Sequence, residues 1–167
     1  MTLDNINDHD SDVAKVAEQL MEYIQKGVSL KDIEGVSDET MEEMYACAYY
    51  FYQERKLDEA EDLFKVLCMY DLNNADYVIG LGAVHQIRKN YQKACDFYAL
   101  AYVMADNNFL PMLYGGQCQL LMGNTARALQ CFDTVVEKCD DEKLKARARI
   151  YMNTIKANRP EFRADES

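Results

Sequence analysis

The chain has 167 residues, a formal net charge of −11, 49% hydrophobic residues, seven Gly, two Pro and no Trp. This length fits one domain with a real core, and so little Gly and Pro excludes a loop-rich all-β fold and favours long helices. The acidic excess lies at the front, with 17 acidic against 5 basic side chains in residues 1–62 and 12 against 13 in residues 63–167. That balance argues against direct nucleic-acid binding, because phosphate contacts need clustered Lys and Arg.

Residues 1–11 are acidic and expected to be disordered. They carry no apolar h-region of a secretory signal, and no apolar run is long enough to cross a bilayer, so a cytosolic protein with no membrane contact is expected. DVAKVAEQLMEYIQK (12–26) places Val13, Val16, Leu20 and Ile24 on one helical stripe. GVSLKDIEGVSDE (27–39) reads as a linker, so 12–40 forms a helix and linker ahead of the main body.

From residue 41 the chain repeats. LDEAEDLF (57–64), YQKACDFY (91–98) and TARALQCF (125–132) align at a spacing of 34 residues. Ala60, Ala94 and Ala128 keep that spacing, each followed four residues later by a ring: Phe64, Tyr98 and Phe132. Upstream, Ala48, Gly82 and Gly116 keep it too. So do Asn73-Asn74 and Asn107-Asn108, where Asn suits the left-handed conformation that ends helices. The period is that of the tetratricopeptide repeat, a helix-turn-helix unit that buries its apolar face only by stacking on neighbours. The expected fold is all-α: three repeats over 41–142, with Ala48, Gly82 and Gly116 as close crossing points against Ala60, Ala94 and Ala128. DDEKLKARARIYMNTIK then reads as a capping helix with its body at 143–156 and Asp140 and Asp141 at its N-terminus. Its Lys143, Lys145, Arg147 and Arg149 spread around the helix and read as a solvated surface. Residues 157–167 are a polar tail, expected to be disordered.

The stretch YACAYYFY (45–52) carries five rings. At about 100° per residue, Tyr45, Tyr49 and Tyr52 fall within about 60° of one another. Phe51, Cys47 and Ala48 face the core side instead, and Tyr50 lies on neither. First helices line the concave surface of such arrays. The equivalents of the tyrosine stripe are Ile79, Ala83 and Gln86, then Leu113, Gln117 and Leu120. The expected groove is aromatic, then aliphatic, and uncharged at these positions. It suits an extended apolar segment, because Tyr joins apolar area to a hydroxyl at low entropy cost. Packing of these rings under the N-terminal helix is the alternative. A carboxylate clamp of Lys, Arg and Asn is excluded, because those places hold Tyr45, Tyr49, Gly80, Leu110 and Tyr114.

The six Cys, at 47, 68, 95, 118, 131 and 139, form no CxxC pair and no metal spacing with His9 or His85. They read as small buried apolar residues. There is no P-loop, GxSxG or HExxH motif. No cofactor, metal or catalytic residue is expected, and His85 reads as structural or groove-lining.

LDEAEDLFKVLCMYD (57–71) and YVIGLGAVHQ (77–86), within a match over about 12–155, resemble the class II chaperones of bacterial type III secretion. The resemblance implies a cytosolic chaperone that binds hydrophobic pore-forming translocators through an extended N-terminal segment in the groove, keeping them soluble until export. It implies a homodimer through Val13, Val16, Leu20 and Ile24. Some members also assist an AraC-type transcription activator, which stands as an alternative role beside a generic protein–protein scaffold.

Overall fold

The period sets the helix boundaries. The computed structural model describes residues 25–159 together with Lys15, Glu18, Glu22 and Glu161. Among these, a short α1 (Leu30–Glu34) precedes three helix pairs: α2 (Asp38–Gln53) with α3 (Leu57–Tyr70), α4 (Ala75–Ile87) with α5 (Tyr91–Met104), and α6 (Leu110–Leu121) with α7 (Thr125–Lys138). A final helix, α8 (Glu142–Asn158), closes the array. The second helices start at residues 57, 91 and 125 and end at 70, 104 and 138, keeping the 34-residue spacing at both ends. The Val13, Val16, Leu20 and Ile24 stripe lies outside the described residues.

The turns repeat as well. Arg55, Lys89 and Gly123 break the chain between the two helices of each pair with φ of 61°, 63° and 81°. A residue in this left-handed region stops a helix by reversing the backbone. Between pairs, Asn74 Oδ1 accepts from the Asp76 amide at 3.0 Å, and Asn108 Oδ1 from the Leu110 amide at 3.1 Å. The Asn pairs thus serve mainly the helix that follows them, by satisfying a free first-turn amide. Asn107 does adopt the left-handed region expected of it, at φ 59°, whereas Asn73 does not.

The stretch expected as a linker holds α1. Ser29 and Asp32 form a reciprocal capping box, and Gly35 ends the helix at φ 69°. At the far end Asp141 Oδ1 accepts from the Lys143 and Leu144 amides at 2.8 and 3.3 Å, so α8 begins where its acidic cap suggested.

Packing uses the small residues, but in a sharper way than an Ala–Gly crossing. Ala48, Ala60, Ala94 and Ala128 are fully buried. A β-carbon built on Gly82 would meet the Tyr98 ring at 2.6 Å, and one on Gly116 would meet Phe132 at 2.7 Å. The ring four residues after each Ala fills the space that Gly leaves. Phe51 only half-buries on the first repeat's core, and Cys47, expected beside it, is exposed. Cys95, Cys118 and Cys139 are buried and Cys68 and Cys131 partly so, which leaves Cys47 as the departure from the buried-thiol expectation. No helix among the described residues is long and apolar enough to cross a membrane.

Candidate functional site

The first helices of the three pairs stand side by side and enclose a groove of about 500 Å³. Tyr45, Tyr49 and Tyr52 line it from α2. From α4 come Ile79, Gly80, Ala83, Gln86 and Ile87, with Asp76 at the first turn. From α6 come Leu110, Tyr114, Gln117 and Leu121, and Phe64, Tyr91 and Tyr98 reach it from the second helices. Spacings of three and four residues along each helix put these side chains on one face.

Seven of the nine residues named from sequence line this groove: Tyr45, Tyr49, Tyr52, Ile79, Ala83, Gln86 and Gln117. Leu113 does not. It is fully buried in the cluster that holds Phe132 of α7 and Ala148 of α8, because the capping helix covers that side of the third repeat. Leu120 packs half-buried on the same cluster. Leu110, Tyr114 and Leu121 take their place, each one turn or one residue away. None of the named stripe positions carries a charge, but Asp76, outside that set, adds an exposed carboxylate at the groove's edge. No Lys or Arg lines the groove.

The rings are held in place. Tyr45 packs its ring 6.1 Å from Phe64 and 5.6 Å from Tyr77, so it serves the core and the groove together. Tyr49 is 47% exposed and touches Tyr52 at 5.8 Å. Tyr50 points away, beside the Phe51 ring. The Tyr98 hydroxyl donates to Gln86 Oε1 at 2.7 Å, and Gln117 Nε2 donates to the Tyr151 hydroxyl at 3.0 Å. Tyr114 lies 5.5 Å from Tyr98, with the Arg147 guanidinium 5.8 Å from its ring centre. Burial raises the phenol pKa of Tyr45, and the Asp76 carboxylate raises it further. Burial likewise raises Tyr52 and Tyr98. All three stay protonated at neutral pH and can donate as well as accept hydrogen bonds.

His85 is not part of the groove. It is 3% exposed and stacks on Phe97 at 5.5 Å, so its role is structural. No group of three metal-ligating side chains occurs among the described residues. The site offers apolar area, hydroxyls and amides, which is equipment for holding a chain segment.

A groove on the inner face of stacked helix-turn-helix units defines a tetratricopeptide-type binding protein. The tetratricopeptide repeat family matches residues 41–74 and 75–108; the third repeat, with Thr125 where Leu57 and Tyr91 stand, lies beyond the match. Chaperone protein SicA of Salmonella typhimurium is 43% identical over 152 residues, covering 91% of this chain and 92% of its own. PcrH of Pseudomonas aeruginosa, solved with the chaperone binding region of PopD, is 30% identical with a TM-score of 0.67, over 74% of this chain and 96% of that one. SycD of Yersinia enterocolitica, solved with a peptide of the translocator YopD, is 26% identical with a TM-score of 0.65, over 74% and 97%. The chain belongs to the class II chaperones of type III secretion, a family of binding proteins and not of enzymes.

Proposed function

We propose that this protein is a cytosolic bacterial chaperone that holds an extended N-terminal segment of a hydrophobic, pore-forming translocator in its groove. The translocator is thereby kept soluble and ready for export. The groove itself carries this reading: three helices supply tyrosine, aliphatic and amide groups, and no cation. An extended segment presents spaced apolar anchors together with unpaired backbone amides. Tyrosine meets both needs at low entropy cost. PcrH and SycD, solved with translocator segments, support the same use here. Sequestration needs area and shape, and moderate affinity permits release.

Co-expression with a translocator of the same secretion system, followed by pull-down, tests the reading. Tyr49 is the clean probe, because its ring is half exposed and its ring partner is Tyr52, itself a groove residue. Tyr49→Ala should cut translocator capture about tenfold, a loss of about 1.4 kcal/mol, with the helical melt unchanged. Full capture by Tyr49→Ala and by the Tyr49→Ala/Tyr52→Ala pair would reject the groove. The homodimer through Val13, Val16, Leu20 and Ile24 belongs to the same proposal. Leu20→Asp should turn a sedimenting dimer into a monomer, and an unchanged mass rejects that interface.

A further inference from the structure

The 34-residue register does not stop at the third repeat. One more period carries Tyr45, Ile79 and Leu113 to Arg147, and carries Tyr49, Ala83 and Gln117 to Tyr151. The capping helix α8 therefore stands in the place of a fourth first helix. Its contacts agree: the Tyr151 hydroxyl accepts from Gln117 at 3.0 Å, and Arg147 lies over the groove residue Tyr114. The array thus brings a cation over the groove residue Tyr114, at the margin of the groove and outside its lining.

Arg147 is exposed, and among the described residues the ion pairs to Glu142 of α8 are made by Lys145 and Arg149, not by Arg147. Its neighbours Lys145 and Arg149 both lean on Glu142, at 3.2 and 3.7 Å. A guanidinium resting on a ring face keeps its N–H edge free for a carboxylate. Asp76 mirrors this toward the first repeat. It sits at the first turn of α4 near Tyr45, in a molecule whose nearby cations are engaged elsewhere. Lys31 pairs with Asp38, while Arg88 pairs with Asp58 and Glu61. Asp76 has no basic partner among the described residues. Two opposite charges are left open, Asp76 by Tyr45 of α2 and Arg147 over Tyr114 of α6, beside a groove whose lining is otherwise uncharged.

We propose that Asp76 and Arg147 read charge on the bound segment: a Lys or Arg side chain sits at Asp76, and an Asp or Glu side chain at Arg147. The proposal rests on the groove reading above and adds direction to it. Apolar anchors fit an extended segment running either way, since side chains and backbone amides alternate similarly in both directions. Charges at the two sides break that symmetry. An exposed pair adds only about two- to fivefold in affinity, whereas a like charge in the same place is actively rejected. The pair therefore selects register and direction more than it adds strength.

A displayed library of extended segments with fixed, spaced apolar anchors and randomised flanks, panned on the full chain, tests this. The wild type should enrich segments with a basic residue on one flank and an acidic residue on the other. Arg147→Glu should invert the preference on the acidic flank alone, and Asp76→Lys on the basic flank alone. The milder Arg147→Gln and Asp76→Asn should each erase the bias on their own flank. Both positions are exposed, and a helical melt matching the wild type checks each variant. Enrichment of anchored segments without charge bias, or a bias unmoved by these variants, overturns the charge reading and leaves the groove intact. If no segment is captured in a way that Tyr49→Ala weakens, the groove reading falls and this one with it.

Discussion

The ring of Phe64, from the first repeat, presses on Gly80 of the second so closely that a β-carbon there would lie 2.4 Å from Phe64 Cε1. Gly82 and Gly116 make similar contacts inside their own repeats, but Gly80 differs in also lining the groove. This contact couples the stacking of two repeats to the depth of the binding site. Phe64 is only 1% exposed and packs in the core of the first repeat.

Gly80→Ala should therefore destabilise the protein, although Ala is the better helix former by about 1 kcal/mol. Overpacking a tight core costs about 1–3 kcal/mol, and the clash here is with a rigid ring. A net loss of about 1 kcal/mol in urea unfolding is expected, together with weaker segment binding. Phe64→Leu placed in the Gly80→Ala background should recover part of both losses. If Gly80→Ala alone is as stable as the wild type, the contact does not limit the packing.

Acid should loosen the joint between α3 and α4. Glu61 accepts from Arg88, pairs with Lys65 at 2.9 Å and lies 3.4 Å from His85 Nε2 without a well-formed hydrogen bond. Arg88 first and Lys65 second hold the Glu61 carboxyl at about 2, against an ordinary 4.5. Its contribution is therefore present above about pH 4.5 and lost as pH falls toward 2. His85 is pushed below its ordinary 6.5, first by burial, with Lys93 and Arg88 adding and Glu61 opposing. The unfolded chain takes up that proton first, so the folded state loses ground as pH falls below about 6.5. Urea midpoints should decline gently from about pH 6.5 and more steeply below 4.5. His85→Phe should flatten the upper part and Glu61→Gln the lower. A wild-type midpoint constant between about pH 7 and 5 would contradict the His85 assignment.

Most of this architecture is legible in the sequence because one physical unit is copied. The Ala with its ring four residues on, Ala60 and Phe64 and their equivalents, fixes where each second helix packs. What escapes is what the copies do not share. Leu113 is the arithmetic equivalent of Tyr45, but α8 covers it and turns it into core. Asp76 escapes because it is no 34-residue equivalent of the three tyrosines; it lies one helical turn before Ile79, on the same face of α4. Cys47 adjoins Ala48 in sequence but lies beyond the zone that α3 covers. The α1 helix had a readable cue in Ser29 and Asp32, the two ends of its capping box.

The capping helix should matter for binding as well as for stability. Tyr151 stacks flat on Phe132 at 4.9 Å while its hydroxyl accepts from Gln117. Tyr151→Phe keeps the stack and removes the hydroxyl. A stability loss of about 0.5–1.5 kcal/mol is expected. Capture of the segment should also weaken, because the Gln117 amide loses the partner that orients it in the groove. Capture equal to wild type would show that Gln117 is placed by its own helix alone.

The turns at 55, 89 and 123 offer a prediction of opposite signs from equivalent positions. All three backbones are left-handed, yet the residues are Arg55, Lys89 and Gly123. A side chain in that region costs about 1–2 kcal/mol, against about 0.5–1 kcal/mol for the greater freedom that Gly loses on folding. Lys89→Gly should therefore be neutral or stabilising by up to about 1 kcal/mol, and Arg55→Gly likewise. Gly123→Ala should cost about 1 kcal/mol, although nothing lies within 4 Å of its β-carbon, so the penalty is purely conformational. Thermal melts of the three variants separate the two effects. If Lys89→Gly destabilises by more than Gly123→Ala does, contacts of the Lys89 side chain, and not its backbone, hold that turn.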